Sequence, residues 1–156
     1  MGRVGLGVDA HGFGPGRPLM LGTIHIPHDQ GLVGHSDGDV LAHALCDALL
    51  SACGLPDIGT HFPPSDAQWK GVSGERLLGI VMAKLAEAGY RVANAHAVVI
   101  CEQPKLAPHR EAIQMALSAI VGAPVSVHAT TTEGMGFTGR GEGIACQAVC
   151  LLEEMS

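Results

Sequence analysis

The chain has 156 residues and a mass of 16.0 kDa, 47% of them hydrophobic and 15% charged, which supports one packed core and excludes a disordered segment. Nine Lys and Arg against fifteen Asp and Glu leave a formal charge of -6, with 3% aromatic residues. A sequence-independent nucleic-acid binder needs the opposite charge and rings for stacking, so that class is excluded.

In chain order, residues 4–11 read as a strand entering a Gly/Pro turn, and Leu19–Leu21 and Ile24–Ile26 flank Gly22-Thr23 as a hairpin. Ser36-Asp37-Gly38-Asp39 has the form of a capping box, followed by Leu41, Leu45, Ala48, Leu49 and Ala52 at helical spacing and by Gly54 as a stop. This predicts a helix over 37–53. Pro56, Pro63, Pro64 and Gly71 make 55–72 a loop, Leu77 to Leu85 predict a second helix ending near Gly89, and a third covers 109–121. Residues 95–100, 125–129 and 144–152 read as strands, the last apolar on both alternations, as a strand covered on two sides would be. With no linker and no repeat, the expectation is one α/β domain over 1–156, a mixed four-stranded sheet with helices packed on one face.

Every long apolar stretch is interrupted before it could cross a bilayer, and Met1 to Leu6 carries no leader pattern, so a cytoplasmic protein without a membrane partner is expected. Cys46, Cys53, Cys101, Cys146 and Cys150 are odd in number and form no CxxC pair, so they read as small buried hydrophobes in a reducing compartment.

The chemistry-bearing residues cluster in two places. Asp9 and His11, two apart on a strand, project to one face, and His43 lies inside the capped helix between Asp39 and Asp47, each four residues away. An Asp-His-His set with an open fourth position suits catalytic zinc, and the two flanking acids are expected to orient the His43 ring. Thr130-Thr131-Thr132-Glu133 closes a strand and enters five glycines around Arg140. Hydroxyls, bare amides and a guanidinium can wrap a diphosphate while Glu133 holds a hard cation, although a plain flexible turn would read the same way. The literal GxGxxG at 134–139 has no helix and acid in the right places after it, so a dinucleotide is not expected. The loop of Asp57, Ile58, Gly59, Phe62, Ser65 and Asp66, and the lone Lys105, are further candidates for substrate contacts, or plain surface.

Four strings combine these features: GVDAHGF at 7–13, HSDGDVLAHALCDALL at 35–50, DIG at 57–59 and TTTEGMGFTGRGEGIA at 130–145. In order and spacing they resemble the 2-C-methyl-D-erythritol 2,4-cyclodiphosphate synthase family of the non-mevalonate isoprenoid route, over essentially the whole chain. The resemblance implies a phosphorus-oxygen lyase, in which the 2-phosphate of a 4-diphosphocytidyl-methylerythritol 2-phosphate attacks its own β-phosphate, CMP leaves and a cyclic diphosphate closes. It implies zinc, or another divalent transition metal, on Asp9, His11 and His43, and magnesium or manganese bridging the phosphates through Glu133. His35 and Ser36 would meet the attacking phosphate, Thr131 with its neighbours Thr130 and Thr132 the β-phosphate, and His35 and Thr131 would be the catalytic pair. Asp57 and Gly59 would hold the ribose, the 101–107 segment with Lys105 the cytosine, and Phe62 the substrate from its loop. Phe137 and Arg140 would lie near the substrate or a threefold axis, Arg140 facing an anion or Glu142 of a neighbour.

The family reading further implies a homotrimer whose active sites join two chains, in a bacterial cytoplasm or a plastid stroma. Pro64 stands where the family carries an acid, so Ser65 and Asp66 are the expected loop contacts. Two other functions use the same residues: a zinc phosphohydrolase that delivers water, and a trimeric module that binds diphosphates without turnover.

Overall fold

A computed structural model describes residues 1–156. The elements run β1 (Gly2–Gly14), β2 (Leu19–Leu21), β3 (Ile24–Ile26), β4 (Gly31–Leu32), α1 (Val40–Ala52), α2 (Ile58–His61), a 3₁₀ turn (Ala67–Trp69), α3 (Gly74–Glu87), β5 (Tyr90–Ile100), α4 (Arg110–Val121), β6 (Val125–Thr130), α5 (Gly136–Gly139) and β7 (Gly143–Glu154). No helix is long and apolar enough to cross a membrane.

The main sheet has five strands in the order β4-β1-β7-β5-β6, not the four expected, and β2-β3 forms the separate expected hairpin. The extra strand is β4, two residues that pair antiparallel with the end of β1, Phe13 opposite Leu32 and Gly14 opposite Gly31. Two residues are too few to carry an alternation, which is why no sequence pattern announces them. β7 lies antiparallel between β1 and β5, and β5 pairs parallel with β6, so the sheet is mixed.

Helices α1, α3 and α4 all cover one face, where Ala95, Ala97, Val99, Cys146, Ala148 and Leu152 meet the helices' leucines in one core. Gly5 and Gly7 on β1 allow α1 to lie against the strand, since a Cβ on either would run into the carbonyls of Ala48 or Ala44. The opposite face carries Val4, Leu6, Val8, Val149 and Leu151, which stay 38–71% exposed. The double-sided apolar pattern of β7 is therefore covered on one side only within a single chain.

α1 starts at Val40 with Asp39 as its N-cap, not at 37 with Ser36 as the cap. Asp39 wins because its carboxylate accepts from three amides at once: Ala42 at 3.0 Å, Gly22 at 2.9 Å and Thr23 at 2.7 Å. Burial raises its carboxyl above the ordinary range. One side chain thus ties the β2-β3 turn to the start of the helix that carries His43.

Candidate active site

Asp9 and His11 reach from β1 toward α1, and His43 meets them from the first turns of that helix. His11 Nε2 lies 2.8 Å from Asp9 Oδ2, His43 Nδ1 lies 3.2 Å from the same oxygen, and the two ring nitrogens are 3.2 Å apart. The other nitrogen of each ring is already engaged. His11 Nδ1 donates to the Val33 carbonyl at 2.8 Å, and His43 Nε2 lies 3.0 Å from Ser36 Oγ. A carbonyl can only accept, so the His11 lone pair falls on Nε2; with the His43 proton on Nε2, the Ser36 hydroxyl, which also accepts from Gly38 N at 3.2 Å, is its acceptor and Nδ1 is left bare.

Two bare nitrogens and a carboxylate oxygen therefore converge on one point, an arrangement that repels itself unless a cation or proton sits there. Two of the separations, 3.2 Å each, are close to the roughly 3.3 Å between ligands of a tetrahedral ion with bonds of about 2.0–2.1 Å, and the His11–Asp9 pair is tighter at 2.8 Å, so the donor set can close on a metal ion with a small adjustment. Electrostatics agree. Burial by itself would raise the Asp9 carboxyl, but hydrogen bonds and charges from both histidines outweigh it and hold it at about 2. Once protonated on Nε2, His11 donates to the Asp9 carboxylate, and this lifts it above its ordinary 6.5.

The expected orienting acids do not touch His43. Asp39 is spent on the three amides, and Asp47 Oδ1 accepts from Ile58 N at 3.0 Å. Helical spacing brought them to the right face, but the ring nitrogens face Ser36 in the preceding loop and Asp9 and His11 on β1. Ser36 supports His43, in addition to any contact with a phosphate. Arg17, missed by the sequence reading, laces the same loop, donating to the carbonyls of Gly34 at 3.1 Å and Ser36 at 2.6 Å. No local motif marks it, because its partners lie 17 and 19 residues away.

The triad opens into a cavity of about 210 Å³ that also includes His35, Ser36, Gly59, Phe62 and Pro64, so several loop expectations meet here. Its apolar wall was not foreseen: Trp69 stands edge-on to Phe62 with ring centroids 4.8 Å apart, and the Arg76 guanidinium covers Trp69 at 5.1 Å. Asp57 caps α2, accepting from Thr60 N at 3.0 Å and Thr60 Oγ1 at 2.9 Å. Asp66 caps the 3₁₀ turn and holds Gln68, while Ser65 is exposed; neither lines the cavity.

Lys105, Thr130 and Thr131 line a second cavity of about 220 Å³ with Cys101, Pro104 and Leu106. Thr132 turns inward, its hydroxyl donating to the Met135 carbonyl at 2.6 Å and lying 2.8 Å from Thr138 Oγ1. Glu133 is exposed and adopts φ +53°, a left-handed conformation uncommon outside glycine, which turns the chain out of β6. Phe137 is exposed, and Arg140 pairs at 2.7 Å with Glu142 of its own chain. The two cavities are apart: in register, Asp9 faces Cys146, Cys146 faces Val99 and Val99 faces Ala129. That is three strand spacings, about 14 Å.

The fold and the triad together define a metal-site α/β protein of one family. A model of the YgbB family matches residues 2–153, and the chain belongs to that family. It is 54% identical to the 2-C-methyl-D-erythritol 2,4-cyclodiphosphate synthase of Marinobacter nauticus, over 99% of both chains, and 53% identical to that of Moorella thermoacetica, over 96% of this chain and 94% of the other. Among solved structures, a 2C-methyl-D-erythritol-2,4-cyclodiphosphate synthase in its CDP-bound form superposes with a TM-score of 0.89 at 39% identity, covering 97% of this chain and all of the other.

Proposed function

We infer that this chain is an enzyme, a lyase of isoprenoid biosynthesis that forms 2-C-methyl-D-erythritol 2,4-cyclodiphosphate from its 4-diphosphocytidyl 2-phosphate precursor with release of CMP. The observation that carries the reading is the convergence of Asp9 Oδ2, His11 Nε2 and His43 Nδ1 in a cavity that also holds Gly59 and Phe62. Asp9, His11 and His43 would hold zinc, and Glu133 magnesium or manganese, in keeping with its exposed hard carboxylate. Bound there, the cations supply charge neutralisation and a template for phosphate oxygens.

The protein's own groups do the rest by positioning. The amides of Gly34, His35 and Ser36 donate to no other group of the chain, so this loop can receive the attacking phosphate beside the His35 ring. Thr131, with Thr130 beside it, meets the phosphate that is attacked, and the 101–107 segment with Lys105 encloses the base from the other cavity. Asp57 and Gly59 hold the ribose. The substrate supplies both nucleophile and leaving group, so no side chain is required as either.

Within one chain the two cavities lie three strand spacings, about 14 Å, apart across the sheet. Two neighbouring chains bring them together, and the uncovered apolar face around Leu6, Val8 and Val149 supports a homotrimer built on that face. The bacterial relatives support a bacterial cytoplasmic location. The test is product identity: with zinc and magnesium supplied, mass spectrometry should find CMP and a cyclic diphosphate in equal amounts. A ring-opened product would mean a phosphohydrolase, and no turnover would mean a binding module.

A further inference from the structure

We propose that Asp47 is a positioning residue that sets the nucleotide-holding helix α2 at its working distance from the metal helix α1. α2 has four residues, none of them fully buried; Ile58 at its start and the C-cap Phe62 pack against the core, but the other three residues do not, so packing leaves the helix start to be fixed by its hydrogen bond. Its first amide is one of the donors a helix start leaves unpaired. The half-buried Asp47 carboxylate takes that amide, Ile58 N, at 3.0 Å, and this is the hydrogen bond that joins α2 to α1.

His43 stands one turn earlier on the same helix. A shift of α2 would therefore carry Asp57 and Gly59 away from a fixed metal site, and the two ends of a substrate spanning both would fall out of register. A carboxylate is an expensive choice for mere packing here, because Asp57 and Asp9 are near enough to raise its pKa further after burial has done so. An acceptor for Ile58 N gives it a reason to be present.

The role rests on the reading that α2 holds the ribose, and the experiment keeps the two apart. CDP affinity, zinc content and the kinetics of CMP release are measured on the zinc-loaded full-length protein. Asp47→Ala is expected to weaken CDP about 10-fold and raise KM by a similar factor, with kcat within about 2-fold and zinc unchanged. Asp47→Asn keeps an oxygen that can accept from Ile58 N and should restore CDP affinity.

A second background removes the donor instead. Ile58→Pro has no N–H, and a proline suits the first helical position after Asp57, which is extended at φ −68°, ψ 174°. There Asp47→Ala should add nothing further. Zinc loss or a fall in kcat alone in Asp47→Ala, equal failure of the Asn variant, or an undiminished effect in the proline background each overturns the proposal. CDP bound equally by wild type and Asp47→Ala overturns the role alone. Failure of the wild type to bind CDP overturns the ribose reading and the role with it.

Discussion

At the scale of the residue, Asp9 is the pivot of the site, since one oxygen faces both imidazoles. Asp9→Asn keeps the size and removes the anion, so it should fold normally, lose most zinc and lose nearly all cyclisation, read by atomic emission and CMP release. The pKa shifts give a pH signature. The depressed Asp9 stabilises the metal-free chain above its ordinary 3.8, and that contribution is lost as pH falls toward about 2. The raised His11 stabilises it fully below 6.5, and that contribution is lost as pH rises through its folded value. Zinc requires His11 Nε2 without its proton, so the Tm difference between zinc-loaded and metal-free protein should widen from about pH 5 to about pH 8. A difference independent of pH would remove His11 from the ligand set. Asp39 serves the fold. Asp39→Ala orphans two buried amides and one half-buried one and should cost on the order of 3 kcal/mol in denaturant unfolding, whereas loss of zinc without loss of stability would return it to the orienting role.

At the scale of the element, the site depends on how closely α1 approaches β1. Gly7 faces the Ala44 carbonyl, next to His43, and leaves no room for a methyl group. Gly7→Ala should push the helix outward, destabilise the fold by about 1–3 kcal/mol and weaken metal binding together. Gly12→Ala is the control, because a Cβ there meets only the Glu142 carbonyl at an ordinary 3.6 Å. If both variants bind zinc like the wild type, the helix–strand spacing is not what aligns the triad.

For the whole molecule, the uncovered sheet face is the feature to test. Leu6 and Val8 are 61% and 58% exposed on that face, while α1, α3 and α4 pack on the other. Leu6→Asp should leave the single chain folded by circular dichroism, since it removes nothing from the core. It should reduce the mass seen by light scattering from about three chains toward one and abolish turnover with it. An assembled and active Leu6→Asp protein would show that the face is not an interface.

Much of this was legible in the residues. α1, α3 and α4 stand where apolar spacing put them, α1 with a later start, whereas α2 falls in the stretch read as a loop; the hairpin stands at Gly22-Thr23, and Asp9 and His11 share a face as their strand period requires. Those features are local, and local spacing determines which side chains share a face. What only the tertiary structure decided is which partner each polar group finds. Asp39, Asp47 and Ser36 all sit at capping or helical spacing, yet Asp39 serves a distant turn, Asp47 serves α2 and Ser36 serves His43. β4 exists only because the end of β1 offers two residues an edge to pair with. The reason is physical: periodicity sets direction along one element, whereas a hydrogen-bond donor is claimed by whichever acceptor packing brings within about 3 Å, and no sequence distance limits that choice.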